Sequence, residues 1–292
     1  MTGADWLTPK WPAPGKVKAV FTTRMGGCSQ PPWDSMNLGS HVGDAPEHVQ
    51  ANRATLQNGI GTLPVFLNQV HGTGVLNLDM NRSTPHAQTA DACFSTQVGA
   101  ACTIMVADCL PVLFTTVCGS VVAAAHAGWR GLAGVQRLGA GDRVAGGEGV
   151  LETTVAAIHQ SFRAADQVNR AQAAPEIIAW LGPCIGPRAF EVGAEVKAAF
   201  TACRADAAQH FANSTDGKYL ADLAGLARMR LRALGIQQIY GNDSSHGWCT
   251  ANNPLRYFSH RRDAGPRLSG AGSSIGTTIG TTGRMAACIW IT

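Results

Sequence analysis

Charge is scarce in this sequence. Only 14% of its 292 residues are Asp, Glu, Lys or Arg, against 45% hydrophobic, a balance that excludes a disordered chain and supplies apolar surface for a sizeable core. No run of five or more Lys and Arg occurs and the net charge is only +4, which argues against a nucleic-acid arm or a polybasic membrane patch. The densest basic pair, Arg261 and Arg262, suits a small anion at least as well, because each guanidinium offers a planar fork of donors to oxyanions. No segment reaches the ~18 apolar residues of a membrane span. Residues 1–20 hold Lys10, Lys16 and Lys18 among several prolines and lack the apolar stretch of a secretion signal. The expectation is a cytoplasmic protein, bound to neither nucleic acid nor membrane, folding as a single unit over residues 1–292.

A CxxC knuckle is absent too. The nine cysteines are odd in number and irregularly spaced, which gives no disulfide framework and no zinc ribbon. Most are expected to be buried small hydrophobes, so any cysteine that does chemistry must be identified by its neighbours.

What is present is a succession of short apolar runs divided by glycine and proline. Strands are expected over 18–23, 64–70, 91–94, 101–106, 110–117, 120–125 and 177–180, from β-branched and apolar residues bounded by turn signals. Residues 33–43 read as an ordered loop. Helices are expected over 46–59, with Asp44 as N-cap, and over 152–165, 192–203 and 219–234, the last with leucines at 220, 223, 226 and 231 on one face. Two segments, Gly139–Gly149 and Ser269–Gly283, have the glycine-rich composition of inserted surface loops.

Three metal-competent side chains stand beside these apolar runs, in Asn68-Gln-Val-His71-Gly, Ala107-Asp-Cys109-Leu-Pro and Ala125-His126-Ala-Gly-Trp-Arg130-Gly. Each is followed within two residues by glycine or proline, which ends a strand and leaves the side chain at a sheet rim. Two imidazoles and a thiolate form a catalytic zinc set with an open fourth position. The three are distant in sequence, so spacing leaves a second reading open, in which they are satisfied core residues.

Seven segments occur in order: Phe21-Thr-Thr-Arg24-Met-Gly-Gly, Asn52-Arg53, Gln69-Val-His71-Gly, Ala107-Asp-Cys109-Leu-Pro, His126-Ala-Gly-Trp-Arg-Gly, Leu181-Gly-Pro-Cys184-Ile-Gly and Arg261-Arg-Asp263. Together, from about Val20 to Trp290, they resemble the laccase-domain family, also called the multicopper polyphenol oxidase or YfiH-like family. The resemblance implies an α+β fold of mixed β-sheets packed as a sandwich with flanking helices. It implies zinc on His71, Cys109 and His126, and phosphorolysis of purine nucleosides such as adenosine and inosine, with some adenosine deaminase activity. Family members have also been linked to editing of cell-wall precursors. The laccase name itself fits poorly: a multicopper oxidase needs around ten histidines, many in His-x-His pairs, and this chain has nine in all and no such pair. Copper is still a candidate for the His-Cys-His site, since copper(II) outranks zinc in raw affinity.

Substrate residues follow from the same chemistry. Phosphate calls for arginine, and Arg53, Arg24 and Arg130 are the candidates in that order, against the alternative of surface or core-capping arginines. Asn37 matches a family position near the nucleoside; turn capping is its alternative. Gln69, reckoned to lie on the same strand side as His71, is placed to bind a substrate edge or a ligand. Asp108 is a candidate proton shuttle, or a support for the backbone beside Cys109. Cys184 either lines the pocket or packs as a structural cysteine. His260 stands where the family often has an aromatic residue, which sets the pocket wall apart from the usual pattern. The partners expected are a purine nucleoside and phosphate, on a monomer or weak homo-oligomer. Two other functions remain open: a metal-free hydrolase with Cys109 as nucleophile and His126 or His71 as base, and a non-catalytic nucleotide-binding module. Three ligands rather than four count against a purely structural zinc.

Overall fold

Side-chain alternation along the central strands sorts the apolar residues into layers. In Ala100–Val106, Cys102, Ile104 and Val106 face one core, and Ala101 and Met105 face another. In Leu110–Thr116 and Val122–Ala127, Leu113, Val122 and Ala124 join Ile104, while Val112, Phe114, Ala123 and Ala125 point the opposite way. Two sheets therefore lie face to face with a core between them. The computed structural model on which this rests describes residues 5–80, 88–135, 137–138, 142–143, 146–165, 174–264 and 281–292.

The four-stranded sheet runs Val17–Phe21, Met285–Ile291, Ala100–Val106, Leu63–Phe66, with only the last pairing parallel. The six-stranded sheet runs Gln238–Gly241, Ile177–Leu181, Leu110–Thr116, Val122–Ala127, Ala92–Ser95, Val75–Asn77, antiparallel at its centre and parallel at both edges. Helix Pro46–Ile60 covers the outer face of the first sheet, with Leu56 and Ile60 against Phe66 and Met105. Helices Val150–Ala165 and Leu223–Ala233 cover the outer face of the second through Val155, Ile158, Leu226 and Leu231. This is the α+β sandwich with flanking helices that the resemblance implies. No helix among the described residues is long and apolar enough to cross a membrane.

Several elements differ from expectation for local reasons. Met285–Ile291 has no alternating pattern because all seven residues are buried; a strand flanked on both sides and covered on both faces reads as a uniform apolar run. The helix expected from 219 begins at Leu223: Tyr219–Ala221 pairs with Phe211–Asn213 and Glu191–Val192, and Asp222 caps the helix by accepting from Gly225 N at 2.9 Å. Likewise Val192 belongs to a strand, and the next helix is Ala194–Thr201. Asp44 is not a helix cap. Ala45 holds that position before Pro46, while the Asp44 carboxylate accepts from Ser29 Oγ at 2.6 Å and Asn37 Nδ2 at 2.8 Å. Of the segments expected as inserted loops, 139–141, 144–145 and 269–280 lie outside the described residues.

Phe114, fully buried in the six-stranded sheet, tests the layering. Phe114→Ala is expected to lower unfolding stability by about 3–5 kcal/mol, read from the midpoint of urea denaturation at constant slope.

Candidate metal centre and its cavity

His126 continues the face of Val122 and Ala124 and pairs with Pro111 near the end of its strand, so its imidazole emerges where the inter-sheet core meets the rim. Cys109 immediately precedes Leu110–Thr116 on that rim. His71 lies in the connection after Leu63–Phe66. Both His71 (φ 61°) and Asp108 (φ 89°) hold left-handed backbone, a conformation that costs a non-glycine residue about 1–3 kcal/mol and persists only where the surroundings impose it. Hydrogen bonds do so here. His71 N donates to Asp91 Oδ1 at 2.9 Å. The Asp108 carboxylate accepts from Thr250 Oγ1 at 2.5 Å, Ser259 Oγ at 3.0 Å and Arg261 N at 2.6 Å.

The fold brings the three candidate ligands together: one donor atom from each of His71, Cys109 and His126 lies within 4.8 Å of the others. Cys109 Sγ is 3.6 Å from His71 Nε2, and the two imidazoles meet edge to face with centroids 4.8 Å apart. A tetrahedral zinc with bonds of about 2.3 Å to sulfur and 2.0–2.1 Å to nitrogen sets an S···N edge of about 3.5 Å. The donor set fits such an ion, and the Cys109–His71 pair already stands at that edge length. Among the described residues this is the one group of His, Cys, Asp and Glu side chains so arranged.

Asp91 organises the cluster, and the sequence reading did not single it out. Fully buried, it takes His126 Nδ1 at 2.8 Å and the backbone N–H of Val70 at 3.2 Å, His71 at 2.9 Å and Gly72 at 2.6 Å. It thereby turns the other imidazole nitrogen of His126 toward the cluster and shapes the His71 loop, the role of an outer carboxylate in metal sites. The available signal was an acid opening the apolar run Ala92–Ser95. Burial raises Asp91, but the His126 hydrogen bond and charge prevail and hold it below its usual value. Burial likewise raises the Cys109 thiol, and the charge and hydrogen bond of His126, followed by those of His71, bring it down to about 6. Burial lowers His126, yet the Cys109 thiolate and Asp91 lift it to about 9. The sulfur is thus in its ligating form at neutral pH, and a cation entering the site displaces the His126 proton.

A cavity of about 420 Å³ opens on this cluster, within the ~300–1,000 Å³ range of small-molecule sites. Met105, Ile185, Phe190 and Leu223 give it an apolar side, and Arg130, Arg261, Arg284, His41 and His260 a basic one. Asp108 lines it, with its carboxylate already occupied as described. Gln69 lines it too, but both ends of its amide are bound to the Met105 backbone at 2.8 Å. Since the strand stops at Phe66, strand alternation does not relate Gln69 to His71. Arg130 reaches the cavity with its guanidinium 4.5 Å over the Trp129 ring.

Three candidates are not among the lining residues. Arg24 donates to Asp34 O and Pro254 O, both at 2.9 Å, and pairs with the Asp34 carboxylate at 3.1 Å. Arg53 donates to Leu38 O at 3.0 Å and stacks 3.9 Å over Phe66. Asn37, fully buried, is bonded to Asp44, Gly39 and Arg284 N. Cys184 is packed beside Asn242, whose Nδ2 lies 3.3 Å from its sulfur. Arg262 donates to three backbone carbonyls and to Asp263, leaving Arg261 as the member of the basic pair that faces the cavity. His41 and Arg284 carried no local signal: one sits in a loop, the other beside the C-terminal strand.

A model of the multi-copper polyphenol oxidoreductase laccase family matches residues 18–292. A protein of Escherichia coli K12 named purine nucleoside phosphorylase YfiH is 44% identical over 289 residues, covering 98% of both chains. A Pseudomonas aeruginosa protein, also named purine nucleoside phosphorylase, is 42% identical over 287 residues, again 98% of both. Among solved structures, a Neisseria meningitidis protein superposes with a TM-score of 0.76 at 41% identity, over 98% of this chain and 99% of that one. YlmD from Geobacillus stearothermophilus superposes with a TM-score of 0.72 at 27% identity, over 100% and 97%.

Proposed function

This chain belongs to the multi-copper polyphenol oxidoreductase laccase family, and on that premise we propose that it is a zinc-dependent purine nucleoside phosphorylase acting on adenosine or inosine. The observation that carries the reading is the convergence of His71, Cys109 and His126 at the wall of a cavity whose other walls are apolar and basic. Relatives named purine nucleoside phosphorylase over nearly their whole length support the reaction class. His71, Cys109 and His126 would hold the ion, which would supply Lewis-acid polarisation of substrate at the cavity wall. The apolar side, with Phe190 and Ile185, excludes water and offers surface to a purine. The basic side, with Arg130 among its members, attracts the anionic co-substrate. Asp108 holds the backbone beside Cys109 rather than shuttling a proton, because its oxygens already accept three hydrogen bonds. Gln69 acts by pinning the His71 loop to Met105.

The test is incubation of the protein with adenosine or inosine and inorganic phosphate. Free base and ribose 1-phosphate are expected; no product from any purine nucleoside would sink the reading. Inosine formed from adenosine without phosphate would mark deamination at the same site.

Asp91→Asn keeps the shape of the side chain and removes the charge that holds His126. It is expected to weaken metal affinity about 10–100-fold, read by competition with a colorimetric chelator. Unchanged affinity would show that Asp91 serves only the backbone of 70–72.

One observation favours a second reading: Asp91, His126 and Cys109 form a carboxylate–imidazole–thiol chain with the thiol brought down to about 6, the arrangement of a cysteine nucleophile. Full activity in metal-free protein would select it over the zinc enzyme.

A further inference from the structure

Arg284 is the most unusual charge in the cavity. Its Nη1 donates to Thr282 O at 2.9 Å and Gly283 O at 3.2 Å, and among the described residues Nε and Nη2 have no protein acceptor. The group is largely buried, and burial lowers its pKa despite the nearby charges of Cys109 and Asp108. Asp108 makes no hydrogen bond or ion pair with it among the described residues: its Oδ1 accepts from Thr250 and its Oδ2 from Ser259 and Arg261 N, and its charge acts on Arg284 from farther off. A buried guanidinium with an open edge is costly unless an anion completes it. Arg284 lines the cavity onto which His71, Cys109 and His126 open, with His41 and His260 on the same lining. His41 is close enough to feel Arg284: burial, then the charges of Arg284 and Arg53, lower its pKa, leaving an uncharged imidazole that can donate or accept one hydrogen bond.

Building on the phosphorylase reading, we propose that Arg284, with His41 and His260, forms the phosphate subsite, seating a tetrahedral oxyanion beside the metal cluster. Neither Arg24 nor Arg53 lines the cavity: Arg24 is held by Asp34 and by the carbonyl of Pro254, and Arg53 donates Nε to Leu38 O and stacks on Phe66. The forked edge of Arg284 binds two phosphate oxygens and the imidazoles a third, which orients the remaining oxygen for the ribose carbon that bears the base. No bond changes in this step; it is binding and orientation.

The experiment measures initial rates with phosphate and inosine each varied, for the wild type, Arg284→Met and Arg284→Lys, with zinc content determined for each. Arg284→Met is expected to raise the KM for phosphate at least about tenfold while leaving the KM for inosine within about twofold and zinc unchanged. Arg284→Lys, which keeps the charge but loses the fork, should fall between, and it carries the test if the methionine variant does not fold. An unchanged KM for phosphate, or equal rises for both substrates, overturns the proposal. If the wild type makes no ribose 1-phosphate, the phosphorylase reading fails and the subsite is judged separately. Inorganic phosphate should then raise the melting temperature of the wild type and raise that of Arg284→Lys less; equal shifts, or none, overturn it.

Discussion

Cys109→Ser is expected to lose both the metal and the reaction. Serine is nearly isosteric, but its hydroxyl does not ionise near neutrality, whereas the imidazoles of His126 and His71 bring the Cys109 thiol down to about 6. With the thiolate gone, two neutral imidazoles are left, too few for a tetrahedral zinc site. Lewis-acid stabilisation is worth several kcal/mol, and each 1.36 kcal/mol is a factor of ten in rate, so kcat/KM should fall at least about 10³-fold. Bound zinc should fall well below one per chain, measured by atomic absorption after dialysis. The fold should survive, because Cys109 lies at the cavity wall and not at the centre of a sheet. Activity lost with zinc fully retained would overturn the ligand role and leave Cys109 as a nucleophile.

Gly128→Ala tests the same centre without touching a ligand. A Cβ at this position would lie 2.8 Å from His71 Cδ2 and 2.9 Å from Cys109 Sγ, both inside van der Waals contact. Neither neighbour yields easily: His71 is held in left-handed backbone by Asp91, and Cys109 follows Asp108, which three hydrogen bonds secure. Overpacking of this kind costs about 1–3 kcal/mol, and at this site the cost falls on the ligand geometry. Metal affinity is expected to drop about 10–100-fold with little change in the circular dichroism spectrum. Native affinity in the alanine variant would show that the ligands can spread without loss. The glycine after His126-Ala thus has a spatial role beyond ending a strand.

Much of the candidate site was legible in the linear chain because its signals are local. An imidazole or thiol beside an apolar run, followed at once by glycine or proline, marks a rim position whatever the partner strand is. His71, Cys109 and His126 each carry that mark. Strands with one buried and one differently buried face, such as Ala100–Val106, were legible from their apolar residues and turn boundaries. Met285–Ile291 was not, because an all-apolar run has no period to read. Tyr219 and Leu220 blended into the leucine stripe of the following helix, and only their pairing partners, 191–192 and 211–213, make them a strand.

The arginines mark the limit most clearly. In sequence, Arg24, Arg53, Arg130 and Arg284 are equivalent forks of donors. What separates them is where the fold anchors each guanidinium: Arg24 against Asp34 and Pro254 O, Arg53 against Leu38 O and the Phe66 ring, both away from the cavity, and Arg130 and Arg284 on its lining. Asp91 is a similar case, an ordinary strand-opening acid until the fold sets His126 and the 70–72 loop around it.

Residue chemistry alone pointed to a candidate centre of two imidazoles and one thiolate and determined the polypeptide's overall make-up of apolar strands between turns. Tertiary structure decided which charges are satisfied internally and which face the cavity, because a hydrogen bond or ion pair is a property of two positions and the chain displays them only one at a time.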